Sequence, residues 1–152
     1  MSNWEEQEKK WEKQFIVLLE AGYIACNQAD EDSALKLFKA AKLLKPQNTL
    51  CDVGVGYLHL HKLELQQACL CFEGVIKKEP DNEMAHTLLG VAKSMMPQGS
   101  AEGEKILHKM SQGTKDPYVK QLSDTAIDFV DRFIKGDSNG PANVKKPKQP
   151  NQ

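Results

Sequence analysis

A small set of residues recurs 34 positions apart along this chain: Gly22, Ala34, Phe38, Ala41 and Pro46 are followed by Gly56, Ala68, Phe72, Val75 and Pro80. A repeat of that length holds two short helices and their turns, so the period commits the chain to stacked helical hairpins. Each position has a mechanical role. Gly22 and Gly56 fall where the first helix of a hairpin must approach the second closely, which a Cβ would obstruct. Ala34 and Ala68 serve the same approach from the facing helix. Phe38 and Phe72 come four residues later, on the same helical face, and fill the space beside it. Pro46 and Pro80 lack a backbone donor and restrict the residue before them, so each closes a hairpin.

A third copy is expected from Glu83. Gly90 lies 34 after Gly56, and Met84, Leu88, Val91, Ala92 and Met95 keep a helical stripe going. Pro97-Gln98-Gly99-Ser100 lengthens the next turn; one inserted residue then brings Gly103, Leu107 and Met110 to the small, large and large positions of a second helix. The pattern predicts helices at 3–28, 32–45, 49–62, 65–78, 83–96 and 101–111, the first long and amphipathic through Trp4, Trp11, Phe15, Leu18 and Leu19. Asp30-Glu31-Asp32 supplies a turn and an acidic helix start, which the helix dipole favours. Asp116-Pro117 opens a last helix, because proline at the first helical position forfeits no hydrogen bond. Its stripe of Val119, Leu122, Ala126, Phe129, Val130 and Phe133 suits a cap on the last repeat, ended by Gly136. The expected fold is all-α: one domain over 1–135, with repeats at about 15–48, 49–82 and 83–116, an extended N-terminal helix and a capping helix at 117–135. A disordered tail is expected over 136–152, which is mostly Asn, Gly, Pro, Gln and Lys with almost no apolar content.

Composition narrows the function. The 20 basic and 21 acidic residues nearly cancel, which gives no electrostatic footing for nucleic acid or a membrane surface. No apolar run approaches the roughly 20 residues of a spanning helix. Met1-Ser-Asn-Trp-Glu-Glu lacks the basic-then-apolar order of a secretory signal, so the protein is expected to stay where it is made, with Cys26, Cys51, Cys69 and Cys71 reduced. No nucleophile elbow, phosphate loop or metalloprotease helix is present, so neither catalysis nor a cofactor is expected. His59, His61, Cys69 and Cys71 mimic a metal set only in their order. Residues two apart on a helix point about 200° from each other, and a helical thiol is ordinarily a small core residue. Lys145, Lys146 and Lys148 have no interleaved aromatic for stacking and are read as part of a solubilising tail.

The register resembles that of the tetratricopeptide repeat family over 15–82, in degenerate form. Leu18 and Ala21 in one copy, and Asp52 and Val55 in the other, stand where the family carries a bulky aromatic and a leucine. The resemblance implies a concave face built by four positions of each first helix. Here these are Ile16, Leu19, Tyr23 and Cys26, then Leu50, Val53, Tyr57 and Leu60, then Met84, Thr87, Val91 and Ser94. Where the family's best-known groove holds a carboxylate clamp, this chain has Leu19, Tyr23, Gly54, Met84 and Leu88, so that clamp is absent. A groove this apolar needs an occupant. The natural one is the apolar face of an amphipathic helix; the alternatives are the chain's own N-terminal helix or a second copy in a homodimer.

Three repeats, an apolar groove and a closing cap also resemble the chaperones of bacterial type III secretion. The run from Met110 to Val119, a polar turn ending in Asp116-Pro117 before the last helix, is similar to the end of the needle-subunit chaperones of the YscG/SctG kind. The translocator chaperones of the SycD/LcrH kind share the repeat pattern of 15–96. A compact core followed directly by its cap favours the needle branch. That resemblance implies a bacterial cytoplasmic chaperone which holds the C-terminal amphipathic helix of the needle subunit and carries a small helical co-chaperone on its outside. A translocator chaperone and a generic scaffold joining two proteins stand as alternatives. The expected contacts are Ile16, Leu19, Tyr23, Leu50, Val53, Tyr57, Leu60, Met84 and Val91, with Tyr23, Leu50, Val53 and Tyr57 at the centre.

Overall fold

The structure is a computed structural model that describes residues 2–136; the tail expected beyond Gly136 lies outside them. Seven α-helices follow one another: α1 (Asn3–Asn27), α2 (Glu31–Leu44), α3 (Leu50–His61), α4 (Leu65–Lys78), α5 (Glu83–Ser94), α6 (Ser100–Gly113) and α7 (Pro117–Phe129). A π-turn over Val130–Ile134 closes the last, and no strand occurs among the described residues. The fold is all-α, and α1 with α2, α3 with α4 and α5 with α6 pack as hairpins.

The repeat residues meet as their spacing demands. A Cβ on Gly22 would stand 2.6 Å from the Phe38 ring, and one on Gly56 would stand 2.6 Å from the Phe72 ring. Ala34, Phe38, Ala68 and Phe72 are all buried. Phe38 is confined on a second side as well: a Cβ on Gly54, from the next hairpin, would come within 2.5 Å of it. The third hairpin exists and is the tightest, since a Cβ on Gly103 would overlap the backbone of Ser94. Gly90 lies against Leu107, which is fully buried.

First helices touch along the array, α1 to α3, α3 to α5 and α5 to α7, whereas α2, α4 and α6 make no comparable contact with one another among the described residues. The array therefore curls with its first helices inside. Helix ends follow side-chain chemistry. Asp30, Asn82 and Asp116 accept hydrogen bonds from the N–H groups of Ser33, Ala85 and Tyr118, relieving donors that a helix start leaves without partners. Pro117 takes the first position of α7. Ala29 and Leu63, 34 apart, both take left-handed backbone, with φ of 58° and 59°, in the turns that join the helices of the first two hairpins.

Two expectations change. The cap buries Val119, Ser123 and Val130, with Leu122 and Ala126 half-buried, but leaves Phe129 and Phe133 exposed and stacked on each other with ring centroids 5.2 Å apart. Phe129 lies at the edge of the stripe, and the wider winding of the π-turn carries Phe133 off it. At the amphipathic start of α1 the tryptophans also stay uncovered. Phe15 is its first buried residue, while Trp4 and Trp11 are 80% and 47% exposed, because α1 begins well ahead of the hairpin it joins.

Candidate helix-binding face

The inner face follows from the 34-residue register. Ile16, Leu50 and Met84 fall in line, and the next step reaches Tyr118 on α7. Tyr23, Tyr57, Val91 and Thr125 form a second line, and Asn27, His61, Met95 and Phe129 a third. Residues four and seven apart share a helical face, so these lines turn one side of α1, α3, α5 and α7 in the same direction. At its outer row this side is apolar and open: Ile16 is 47%, Leu50 44% and Tyr118 75% exposed.

Its floor is aromatic. The Tyr23 ring meets Phe38 edge-on at 5.2 Å and Tyr57 at 5.4 Å, and Tyr57 lies 4.4 Å from the exposed His61 ring. The Tyr57 hydroxyl donates to Asn27 Oδ1 at 3.2 Å, tying α3 to the end of α1. Burial pushes the Tyr23 phenol up to about 12, helped by neighbouring Cys26, Cys51 and Tyr57, and burial raises Tyr57 too. Both phenols therefore act as neutral, apolar-bodied walls. The face runs from a polar corner at Asn27 and His61 to an apolar one at Met95 and Phe129.

Of the residues expected here, Ile16 and Leu50 are exposed, and Leu19, Tyr23, Tyr57, Leu60, Met84 and Val91 are half-buried. Val53 is different. It is 4% exposed and packs with Ala68, Phe72, Leu88 and Leu89, because the fourth residue of α3 turns inward between hairpins. It supports the face without being part of it. Cys26, Thr87 and Ser94 are buried likewise, the two hydroxyls donating to the carbonyls of Glu83 and Val91. Gly54 is not a groove position either, since it receives the Phe38 ring. Reading α7 only as a cap places Phe129 in the packed stripe and leaves Tyr118 out; counting the register one step further brings both to the face.

The His and Cys set is spread out. His59 Nδ1 lies 2.6 Å from Glu64 Oε2, His61 is on Tyr57, and Cys69 Sγ sits 4.0 Å from Met96 Sδ. Among the described residues no three metal-binding side chains converge, and the four cysteines are free thiols. A separate apolar cleft of about 570 Å3 opens at the free end of the array, where Val17 and Leu18 of α1 face Ala40, Leu43 and Leu44 of α2. It lies away from the aromatic floor. No helix among the described residues is long and apolar enough to cross a membrane. The chain matches no family model, no curated protein and no solved structure.

Proposed function

We propose that the protein holds an amphipathic helix of another protein on its inner face, as a chaperone of bacterial type III secretion does for an export subunit, with the needle subunit as the client. One observation carries this reading: the register places an apolar, partly exposed side chain at the same level of four successive first helices, Ile16, Leu50, Met84 and Tyr118. Such a row matches the apolar stripe of a bound helix. Left bare it would promote association of the wrong kind. The small helical co-chaperone is assigned to a second apolar surface, the end cleft at Val17, Leu43 and Leu44, so that both partners bind at once.

The test uses the double variant Leu50→Glu with Tyr118→Glu, both on exposed positions. Surface changes of this kind usually leave stability within about 0.5 kcal/mol, whereas placing unpaired charge against a bound helix costs several kcal/mol. Co-expressed with candidate needle and translocator subunits, the parent should keep one of them soluble and co-purify with it. The folded variant should lose it more than about a hundredfold, as 1.4 kcal/mol is tenfold. Undiminished recovery of the client by the variant rejects the inner face as the site, and rescue of the translocator in place of the needle subunit reassigns the client.

A further inference from the structure

Both tryptophans of the chain, Trp4 and Trp11, lie on α1 ahead of its first buried residue, and both are exposed. Seven residues apart, they share a helical face and stand about 10 Å from each other along the axis at 1.5 Å per residue. This stretch is well anchored as helix. Ser2 Oγ accepts from the Glu5 N–H and the Glu5 carboxylate accepts from the Ser2 N–H, a reciprocal cap that satisfies donors at the helix start. No proline interrupts the helix from there to Asn27. Two indoles on a preformed helix resemble the rigid aromatic anchors of protein interfaces, which bind with little further loss of freedom.

The other half of the same helix, from Ile16 to Asn27, builds the first wall of the inner face. An unbroken helix cannot turn back across a face that its own continuation forms, so Trp4 and Trp11 cannot occupy the inner face of their own molecule. They can occupy that of a second copy. Packed helices lie about 8–10 Å apart, so seams between first helices recur at nearly the interval of the two tryptophans. The pairing brings few charges together. Around the α1 axis, Lys9 and Lys13 fall opposite Trp4 and Trp11 and Lys10 to one side, whereas Gln7 and Glu8 flank the tryptophans, with Gln14 at the edge. The register rows of the inner face contain no lysine or arginine.

The geometry points to a dimer in which the α1 overhang of each copy lies across the inner face of the other, Trp4 and Trp11 entering its seams. The exchange closes on itself as a two-fold pair. It rests on the inner face being the client site, and it makes the overhang an internal competitor that a client helix displaces.

Because no other tryptophan is present, tryptophan emission reports on the overhang alone. The full chain is followed over a dilution series by emission and by light scattering. Concentrated protein should be dimeric with blue-shifted emission, and dilution should give monomer with water-exposed emission. Trp4→Ala with Trp11→Ala, and separately Leu50→Glu with Tyr118→Glu, should each be monomeric where the parent is dimeric, with unchanged circular dichroism. Mixing the two variants should restore association through one intact overhang and one intact face. The tryptophan variant should also bind client several-fold more tightly than the parent at concentrations where the parent is dimeric. A parent that stays monomeric with exposed tryptophans throughout overturns the exchange, as does a dimer that survives loss of both tryptophans. If the Leu50→Glu, Tyr118→Glu variant loses its client while parent emission never moves, the exchange falls and the client site stands. If that variant keeps its client, the client site falls, and the exchange built on it falls too.

Discussion

At the scale of single residues the glycines carry the plainest consequences. Gly54 and Gly22 hold Phe38 from two sides, so a methyl at Gly54 must move a ring that is itself buried. Gly54→Ala should cost about 1–3 kcal/mol as overpacking. Gly74 on α4 has open space where its Cβ would be, and Gly74→Ala should stabilise by about 0.5–1 kcal/mol through helix propensity alone. Urea melts of the pair should move in opposite directions; a shared direction would remove the close-approach account. Ala68→Leu should likewise cost about 1–3 kcal/mol, and Phe72→Ala about 3–5 through its cavity. The spacing made Gly22, Gly56, Ala68 and Phe72 legible, because close approach restricts residue type. Gly54 was not legible, since its partner Phe38 comes from the neighbouring hairpin and no periodicity within one repeat points across that boundary. Val53 misled for a related reason: an apolar residue on a curved array suits the groove and the core equally. Tyr23 gives a test in alkali. Its phenol ionises at about 12 in the fold, against an ordinary value of 10.0. Its burial thus adds stability that is fully present below pH 10.0 and is lost as pH rises toward about 12. Tyr23→Phe should flatten that alkaline loss, and an unchanged high-pH limb would contradict the burial.

At the scale of elements, α7 joins cap and wall. Ser123 Oγ is the one buried side-chain polar atom without a partner among the described residues, at the centre of the packed face of α7. A buried hydroxyl without a bond costs about 1–3 kcal/mol, so Ser123→Ala should raise the melting temperature; a fall would imply a partner for that hydroxyl. Asp116 caps the same helix, and Asp116→Ala should destabilise by about 0.5–2 kcal/mol. The turns respond to acid. His59 and Lys62 hold the Glu64 carboxylate below its ordinary value, and Asn82 and Thr49 do the same for Glu79. Their contribution is present above the ordinary glutamate value of 4.5 and is lost as pH falls through the lowered folded values. Glu64→Gln should therefore shallow the loss of stability below pH 4.5, measured by urea midpoints across an acid series. Helix positions were readable because apolar spacing, Asp caps and Pro117 all mark them locally. The π-turn was not, because Val130 to Ile134 read as a continuing α-helix until packing fixes their winding.

For the whole molecule, the same period that makes the hairpins also aligns them, which is why one register predicts both core and face. It puts Ile16, Leu50 and Met84 in one line and, carried one step on, Tyr118. What it could not supply is the occupant, since a repeat records only how the chain packs on itself. The overhang of α1 was visible as a stripe, but that Trp4 and Trp11 lie outside the core depends on where α2 ends. The inner side of the array, and not its outside, is proposed to hold a client helix. Site-specific photo-cross-linking tests it most directly, with the reactive side chain placed at Leu50 or Tyr118 on the inner rows, or at exposed Leu43 or Leu70 on α2 and α4. In cells making the client, Leu50 and Tyr118 should give the client adduct while Leu43 and Leu70 do not; client adducts at Leu43 and Leu70 with none at Leu50 and Tyr118 would contradict the account.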